Sequence, residues 1–145
     1  SIALPTSVNL PLAIGIPAEY IPDQDLRLKL YRRLADIREE TALASIEMEF
    51  EDRFGPLPED VRNLIYQIKI KLLAALAGLA SVGFEGKQLV LHYPPLPEGV
   101  DHRPLRELGR PVMSGKNAYR IHFTDPENEN WQDVLVGVLL RIRGE

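Results

Sequence analysis

The sequence contains no cysteine among its 145 residues. Disulfide bonds and thiol chemistry are therefore excluded, and this composition is compatible with a cytoplasmic location. Long apolar runs are also missing, because the longest lies around residues 72–79 and is diluted by alanines and a glycine. A run of this length is too short to span a bilayer. We therefore expect a cytoplasmic domain that makes no membrane contact.

Positive charge is not in excess either. The 17 lysines and arginines are outnumbered by 21 aspartates and glutamates, which gives a formal net charge of -4 and an isoelectric point near 5.4. A module that binds nucleic acid by itself needs a basic surface that displaces counterions from the phosphates. The charge balance therefore argues against direct nucleic-acid binding and favours a basic protein partner.

The remaining composition is that of an ordinary globular chain, with 45% hydrophobic and 26% charged residues. Its length suits one compact domain or two small subdomains. The chain begins at Ser1 without an initiator methionine. We therefore expect that it was cut from a longer protein.

Prolines and apolar periodicity predict an edge strand followed by three helices. Four prolines within residues 1–22 exclude a helix there, and the alternation of apolar residues over 8–12 predicts an extended edge strand. The first helix is expected to open after Asp23, a good N-cap residue, and the second to run from near Thr41 to Gly55. The third is expected to carry Pro58 in its first turn. One apolar face is predicted along it: Val61, Leu64, Ile65, Ile68, Leu72, Leu76 and Leu79.

After Gly78 the apolar period changes from 3.6 to 2, which predicts two hairpins. The first turns at Glu85-Gly86 and the second around residues 114–117. Between them, residues 94–104 are rich in proline and predict a loop, and residues 105–108 are expected to form one helical turn. A last helix, capped by Asn128 or Asn130, is predicted with one apolar stripe: Trp131, Val134, Leu135, Val138, Leu139 and Ile142.

This order of elements predicts an α+β fold. A helical lobe of about three helices, with the edge strand, is assigned to residues 1–79. A small, mainly antiparallel sheet covered by the C-terminal helix is assigned to residues 80–145. We expect the two lobes to form one regulatory domain.

Catalytic and cofactor-binding patterns are not evident in the sequence. Gly115-Lys116-Asn117 has no glycine five residues before the Gly-Lys pair and no Ser or Thr after it, so it predicts a hairpin turn rather than a phosphate-binding loop. His92 and His122 could share a metal on neighbouring strands, but no third ligand has a suitable spacing. No serine stands in a nucleophile-elbow context. We expect no catalytic residue, metal or cofactor.

An acidic cluster on the second helix contains Glu47, Glu49, Glu51 and Asp52. Glu49 and Asp52 are three residues apart, so they share a helix face. One interpretation is a local ion pair between Glu49 and Arg53; the other is that unpaired acids receive arginines from a partner. Spacing alone favours the local pair, because charged runs are usually solvated.

Three other functions stay open at this point. A small basic patch could contact nucleic acid, although no aromatic residues suited to base stacking lie beside it. Its members are Arg27, Lys29, Arg32 and Arg33. Paired acids could serve a hydrolase, and an exposed docking face could drive self-association.

Four motifs resemble the C-terminal domain of bacterial transcription-repair coupling factors. They are Ser7-Val8-Asn9-Leu10-Pro11-Leu12, Ile16-Pro17-x-x-Tyr20-Ile21-x-Asp23, Arg27-Leu28-x-x-Tyr31-x-Arg33-Leu34 and Glu49-x-x-Asp52-Arg53-Phe54-Gly55-x-x-Pro58. The resemblance is specific over residues 7–80. Over residues 81–145 the hairpins and final helix fit in kind, whereas the proline-rich stretch 94–104 departs from the family.

The resemblance implies a regulatory function. Parent proteins of this family push stalled RNA polymerase off damaged DNA with an ATP-driven translocase and recruit UvrA. Their C-terminal domain docks on a UvrB-like N-terminal module and hides the UvrA-binding surface. The resemblance therefore implies partners reached through a longer protein, and no motor in this chain.

The resemblance also implies roles for individual residues. By position, Glu49 and Asp52 would contact arginines of the UvrB-like module. Four residues of the last motif would be structural, because they end one helix and set the direction of the next: Arg53, Phe54, Gly55 and Pro58.

Overall fold

A computed structural model describes residues 6–144 and confirms the α+β class. The elements of this part of the chain are β1 (Ser7–Asn9), α1 (Gln24–Ala35), α2 (Glu40–Phe54), α3 (Glu59–Leu76), β2 (Ser81–Glu85), β3 (Gln88–His92), β4 (Val112–Ser114), β5 (Ala118–His122) and α4 (Trp131–Arg143). The chain divides into two compact units, one of residues 11–72 and one of residues 6–10 with 73–144. No helix in the described range is long and apolar enough to cross a membrane.

In the helical unit, side-chain and backbone caps set the ends of the helices. Asp23 Oδ1 accepts a hydrogen bond from the Leu26 amide at 3.1 Å, so α1 begins where the sequence predicted. The second helix begins at Glu40, one residue before the predicted Thr41. Leucine, isoleucine and phenylalanine side chains at three- and four-residue spacing are buried in these two helices: Leu30, Leu34, Leu43, Ile46 and Phe50.

The third helix differs from its prediction at its start and along its face. The Pro58 carbonyl accepts from the amides of Val61 and Arg62, so Pro58 stands just before the helix and not within its first turn. The predicted apolar face is incomplete and wrong at one member, Leu76. Ile68 and Leu72 pack partly buried against the core and Leu79 is buried, as predicted. Leu76 is 63% exposed, whereas Ile70, Leu73 and Ala74 are fully buried. Because the second half of α3 carries apolar residues on all sides, periodicity could not tell which of them are covered.

The sheet of the second unit has the strand order β1-β2-β3-β5-β4. The first strand is an edge strand, as predicted, and it pairs in parallel with β2, with Ser7 opposite Ser81. All other pairs are antiparallel, so the sheet is mainly antiparallel. Thr6 supports the parallel edge, because its hydroxyl donates to the Leu79 carbonyl at 2.8 Å.

Both predicted hairpins are present. Glu85 lies opposite Gln88, so Gly86 and Lys87 make the first turn, one residue later than predicted. Gly86 has a φ of 62°, a left-handed conformation that glycine adopts without strain. In the second hairpin, the Gly115 amide donates to the Ala118 carbonyl at 2.8 Å. This part of the chain is therefore a hairpin turn, as the sequence analysis concluded.

The predicted helical turn at residues 105–108 is wrong, because that segment contains no helix. Its backbone is engaged by more distant groups instead. The Tyr119 hydroxyl donates to the Arg106 carbonyl at 2.9 Å, and the Arg141 guanidinium donates to the Leu108 carbonyl. These bonds take up polar groups that a helix would otherwise use.

The last helix packs against the sheet through Trp131. Its indole ring meets the Phe84 ring of β2 edge to face, with centroids 5.1 Å apart. Trp131, Leu135 and Leu139 are all buried, in agreement with the predicted stripe. Asn130 holds the N-cap position but does not cap with its side chain, which donates to Asp133 at 2.7 Å.

The corrected face of α3 can be tested with two identical substitutions in one helix. Leu73→Ala removes a fully buried side chain and is expected to lower the free energy of unfolding by ~2–5 kcal/mol. Leu76→Ala removes a side chain that is 63% exposed and should change it by less than ~0.5 kcal/mol. Urea denaturation followed by circular dichroism measures both. Equal losses would show that the face is misassigned.

Candidate protein-docking site

The candidate site lies at the C-terminal end of α2, where Glu49 joins two arginines. Arg33, in the last turn of α1, donates two hydrogen bonds to the Glu49 carboxylate, at 2.8 and 3.0 Å. Arg53, one turn further along α2, donates to the same carboxylate at 2.7 Å. The bidentate geometry of Arg33 is the stronger arrangement for a guanidinium and a carboxylate. Glu49 is thus already paired within the chain.

This pairing changes the acidity of Glu49. The hydrogen bonds from Arg33 and then Arg53 lower the pKa of the Glu49 carboxyl from 4.5 to about 2. The same contact raises the pKa of the Arg33 guanidinium. All three side chains keep access to solvent, with 32% of Glu49 and about half of each arginine exposed. The cluster therefore stays ionised at neutral pH and carries a net charge of one positive unit.

The Asp52 carboxylate, unlike that of Glu49, is accessible to a binding partner. Its side chain is exposed and makes no hydrogen bond or ion pair with any residue that the structure describes. Met48 lies one helical turn before it and is 67% exposed. The outer face of α2 thus presents a free carboxylate beside an exposed thioether side chain. The family resemblance assigned Glu49 and Asp52 the same role, whereas the structure shows Glu49 paired within the chain.

Arg53 and Phe54 are held against the end of the helix. The Arg53 guanidinium lies 4.8 Å from the centre of the Phe54 ring, in a cation–π contact. The Phe54 ring meets the rings of Tyr20 and Phe50 edge to face, at 5.9 and 5.8 Å. Because Arg53 also bonds Glu49, these contacts set the direction in which the charged cluster points.

Gly55 and Pro58 make the passage from α2 to α3. Gly55 has φ 94° and ψ -172°, so its φ is positive but its conformation is extended and not left-handed helical. This region is open essentially to glycine alone. The Tyr20 hydroxyl lies 2.8 Å from the Gly55 carbonyl oxygen and 3.1 Å from that of Phe50. Tyr20 lies 35 residues from Gly55 in the sequence, so no local pattern could predict this contact.

The other sequence candidates do not converge on this site. His92 lies opposite Ala118, and His122 lies opposite Gln88, so the two histidines are not paired across the strands. His92 instead lies 3.6 Å from a Glu85 carboxylate oxygen. In the basic patch, Arg27 donates to the carbonyls of Ile21 and Pro22. Arg33 is engaged by Glu49, so two of the four residues of the patch are held by internal contacts.

Comparison with known families identifies the chain. The TRCF domain family matches residues 10–99, which include the whole helical unit and, within it, this helix end. The chain belongs to the TRCF domain family. The resemblance inferred from the four motifs is thereby confirmed.

Relatives of this TRCF domain carry a consistent name. The transcription-repair-coupling factor of Staphylococcus haemolyticus is 29% identical over 88% of this chain. Those of Rickettsia conorii and Mycobacterium bovis are 43% and 36% identical over 48% and 52% of it. The chain spans only 11% of the first protein and 6% of the other two.

A solved structure shares the fold of this TRCF domain. It is described as the C-terminal domain of transcription-repair coupling factor. The two superpose with a TM-score of 0.75 over 99% of this chain and 98% of the other, at 16% sequence identity. The architecture thus extends over the sheet unit, beyond the range that the family matches.

Glycine at position 55 is expected to be required for stability. Gly55→Ala meets no atom within 4 Å but forces a side chain into a φ of 94°, so the free energy of unfolding should fall by ~1–3 kcal/mol. Gly137→Ala is the matched control, since Gly137 lies inside α4 with equally open surroundings. There, alanine should raise stability by ~0.5–1 kcal/mol. Urea denaturation of both variants measures the two changes. A gain in stability from Gly55→Ala would contradict the positive φ at that position.

The Glu49 cluster predicts a defined pH dependence. Because the pKa of Glu49 is lower in the folded chain than its ordinary 4.5, the ion pairs stabilise the fold fully above about pH 4.5. This contribution is lost as the pH falls toward 2. Glu49→Gln should therefore cost ~0.3–1 kcal/mol at pH 7 and nothing near pH 2. Denaturation of both proteins across this range measures the difference, and a constant difference would refute the pairing.

Proposed function

We propose that this TRCF domain is a cytoplasmic, autoinhibitory docking domain of a transcription-repair coupling factor. In this proposal it binds the UvrB-like module of its own protein and masks the surface that UvrA recognises. The mask is released when the ATP-driven translocase engages RNA polymerase stalled at DNA damage. The proposal assigns no catalytic residue and no cofactor to this domain.

The observation that carries the proposal is the free carboxylate of Asp52 beside a fixed cluster of charges. Arg33 and Arg53 are both engaged by Glu49. Asp52 is therefore the group best placed to accept an arginine from a docking partner. Glu49 acts second, by fixing both arginines and offering its remaining lone pairs to the partner.

The surroundings of Asp52 suit a protein surface. The exposed Met48 side chain can cover apolar area next to the charge pair, and partial exclusion of water strengthens a charge-assisted hydrogen bond. An arginine from the partner would find Asp52 without displacing an existing bond. Docking then requires no rearrangement of the helix end.

A mask of this kind works because both surfaces belong to one protein. Tethering raises the effective concentration, so a contact that is weak between separate molecules can hold within one chain. Release then follows from any state of the motor that binds the undocked form better. A few charged contacts are suited to this balance, since they hold orientation without burying a large apolar area.

The docking proposal is tested by calorimetry between this chain and the UvrB-like module of the same parent protein. Asp52→Asn is expected to weaken binding by ~2 kcal/mol or more, because it leaves the partner's arginine without its counter-charge. Glu51→Gln removes the neighbouring exposed acid and is the matched control, with no expected loss. Binding by the unchanged chain should weaken as salt is raised.

Two results would count against the docking proposal. One is the absence of binding by the unchanged chain, and the other is equal binding by the Asp52 variant. In the full protein, Glu49→Ala with Asp52→Ala should leave the domain folded and increase UvrA binding. Unchanged UvrA binding by a folded double variant would remove the masking role even if docking occurred.

A further inference from the structure

A second candidate surface lies entirely within the sheet unit. A cavity of about 380 Å³ is formed by the loop at residues 103–106, the strand β5 and the end of α4. Two tyrosines and two arginines line it, namely Tyr93, Tyr119, Arg103 and Arg106. The cavity thus combines hydroxyl groups with positive charge, although the whole chain has a net charge of -4.

Arg103 is oriented by three contacts. Its guanidinium lies 4.8 Å from the centre of the Tyr93 ring, and its Nε donates to Asn117 Oδ1 at 3.0 Å. Its amide donates to the Lys116 carbonyl at 2.7 Å. The two terminal nitrogens, however, have no hydrogen-bond partner among residues 6–144. The Arg103 guanidinium is therefore held by the Tyr93 ring and by its Nε bond, and its two terminal nitrogens can donate to a ligand.

The tyrosine hydroxyls complete the polar wall. Burial and the neighbouring Tyr119 raise the pKa of Tyr93, although Arg103 and Arg106 act in the opposite direction. The Tyr93 hydroxyl therefore stays protonated at neutral pH and is held by a hydrogen bond with Tyr119. Tyr119 is fixed by donating to the Arg106 carbonyl at 2.9 Å, and the Arg106 guanidinium donates to the carbonyl of Arg141. Both arginine charges thus lie beside the Tyr93 hydroxyl.

We propose that this cavity binds a carboxylate side chain from an acidic peptide segment of a protein partner. A planar guanidinium with two free nitrogens matches a carboxylate bidentately. Leu105 and Ile142 supply an apolar wall for the residue next to the acid. A protein ligand is favoured over nucleic acid because one free guanidinium suits one anion, whereas nucleic acids are held by many phosphate contacts.

This proposal is independent of the docking role of Asp52. It uses residues of the sheet unit alone, and the candidate docking site lies in the helical unit. Failure of either proposal leaves the other standing.

The test is a titration of the ¹⁵N-labelled 145-residue chain, followed by NMR. The probe is the peptide acetyl-Leu-Asp-Leu-Glu-Leu-amide, and its matched control is acetyl-Leu-Asn-Leu-Gln-Leu-amide. The acidic peptide should shift the signals of Arg103 and Asn117 saturably, and the neutral peptide should not. Arg103→Gln should weaken binding about tenfold, since it removes the charged fork. Arg110→Gln is the control for general charge and should leave the affinity unchanged.

Three outcomes would overturn the carboxylate pocket. They are equal binding of the acidic and neutral peptides, unchanged affinity in Arg103→Gln, and tighter binding of a ten-nucleotide oligothymidylate than of the acidic peptide. The first and third comparisons use the unchanged chain, so they hold even if Arg103→Gln disturbs the loop.

Discussion

One hydroxyl group holds together the helix end on which the docking proposal depends. The Tyr20 hydroxyl lies within hydrogen-bond distance of the carbonyl oxygens of Phe50 and Gly55, at the point where α2 stops. The Gly55 carbonyl lies at the cap position and has no partner within the helix, and leaving a buried carbonyl unpaired costs ~1–3 kcal/mol. With the end fixed, Phe54 and Arg53 have fixed directions, and through Arg53 so has the Glu49 cluster.

Much of the fold could be predicted because its signals are local. Asp23 caps α1 through a group three residues away, and Gly55 ends α2 by its own backbone freedom. The failures are the features decided by distant contacts. Residues 105–108 form no helix because Tyr119 and Arg141 bond the carbonyls of the segment. The covered side of α3 depends on which leucines meet other elements.

The same distinction explains what the sequence could say about the candidate site. The pair of Glu49 with Arg53 follows from a spacing of four residues. Arg33 lies 16 residues from Glu49, so no helical spacing could reveal its bidentate contact. Family resemblance identified Glu49 and Asp52 together, but only the position of Arg33 shows that one carboxylate is occupied and the other free. No sequence pattern predicted the proposed carboxylate pocket, because its lining comes from four separated segments of the chain.

The parallel pairing of β1 with β2 makes the helical unit an insertion between two hydrogen-bonded strands. Ser7 pairs with Ser81, and the whole helical unit lies between them in the sequence. This contact is therefore among the least local in the chain, and forming it closes a long loop. The sheet can thus form its antiparallel strands from local hairpins first and gain its edge late. Until β1 arrives, β2 is an exposed edge able to pair with another chain. The three residues of β1 therefore also protect the domain from association through its sheet.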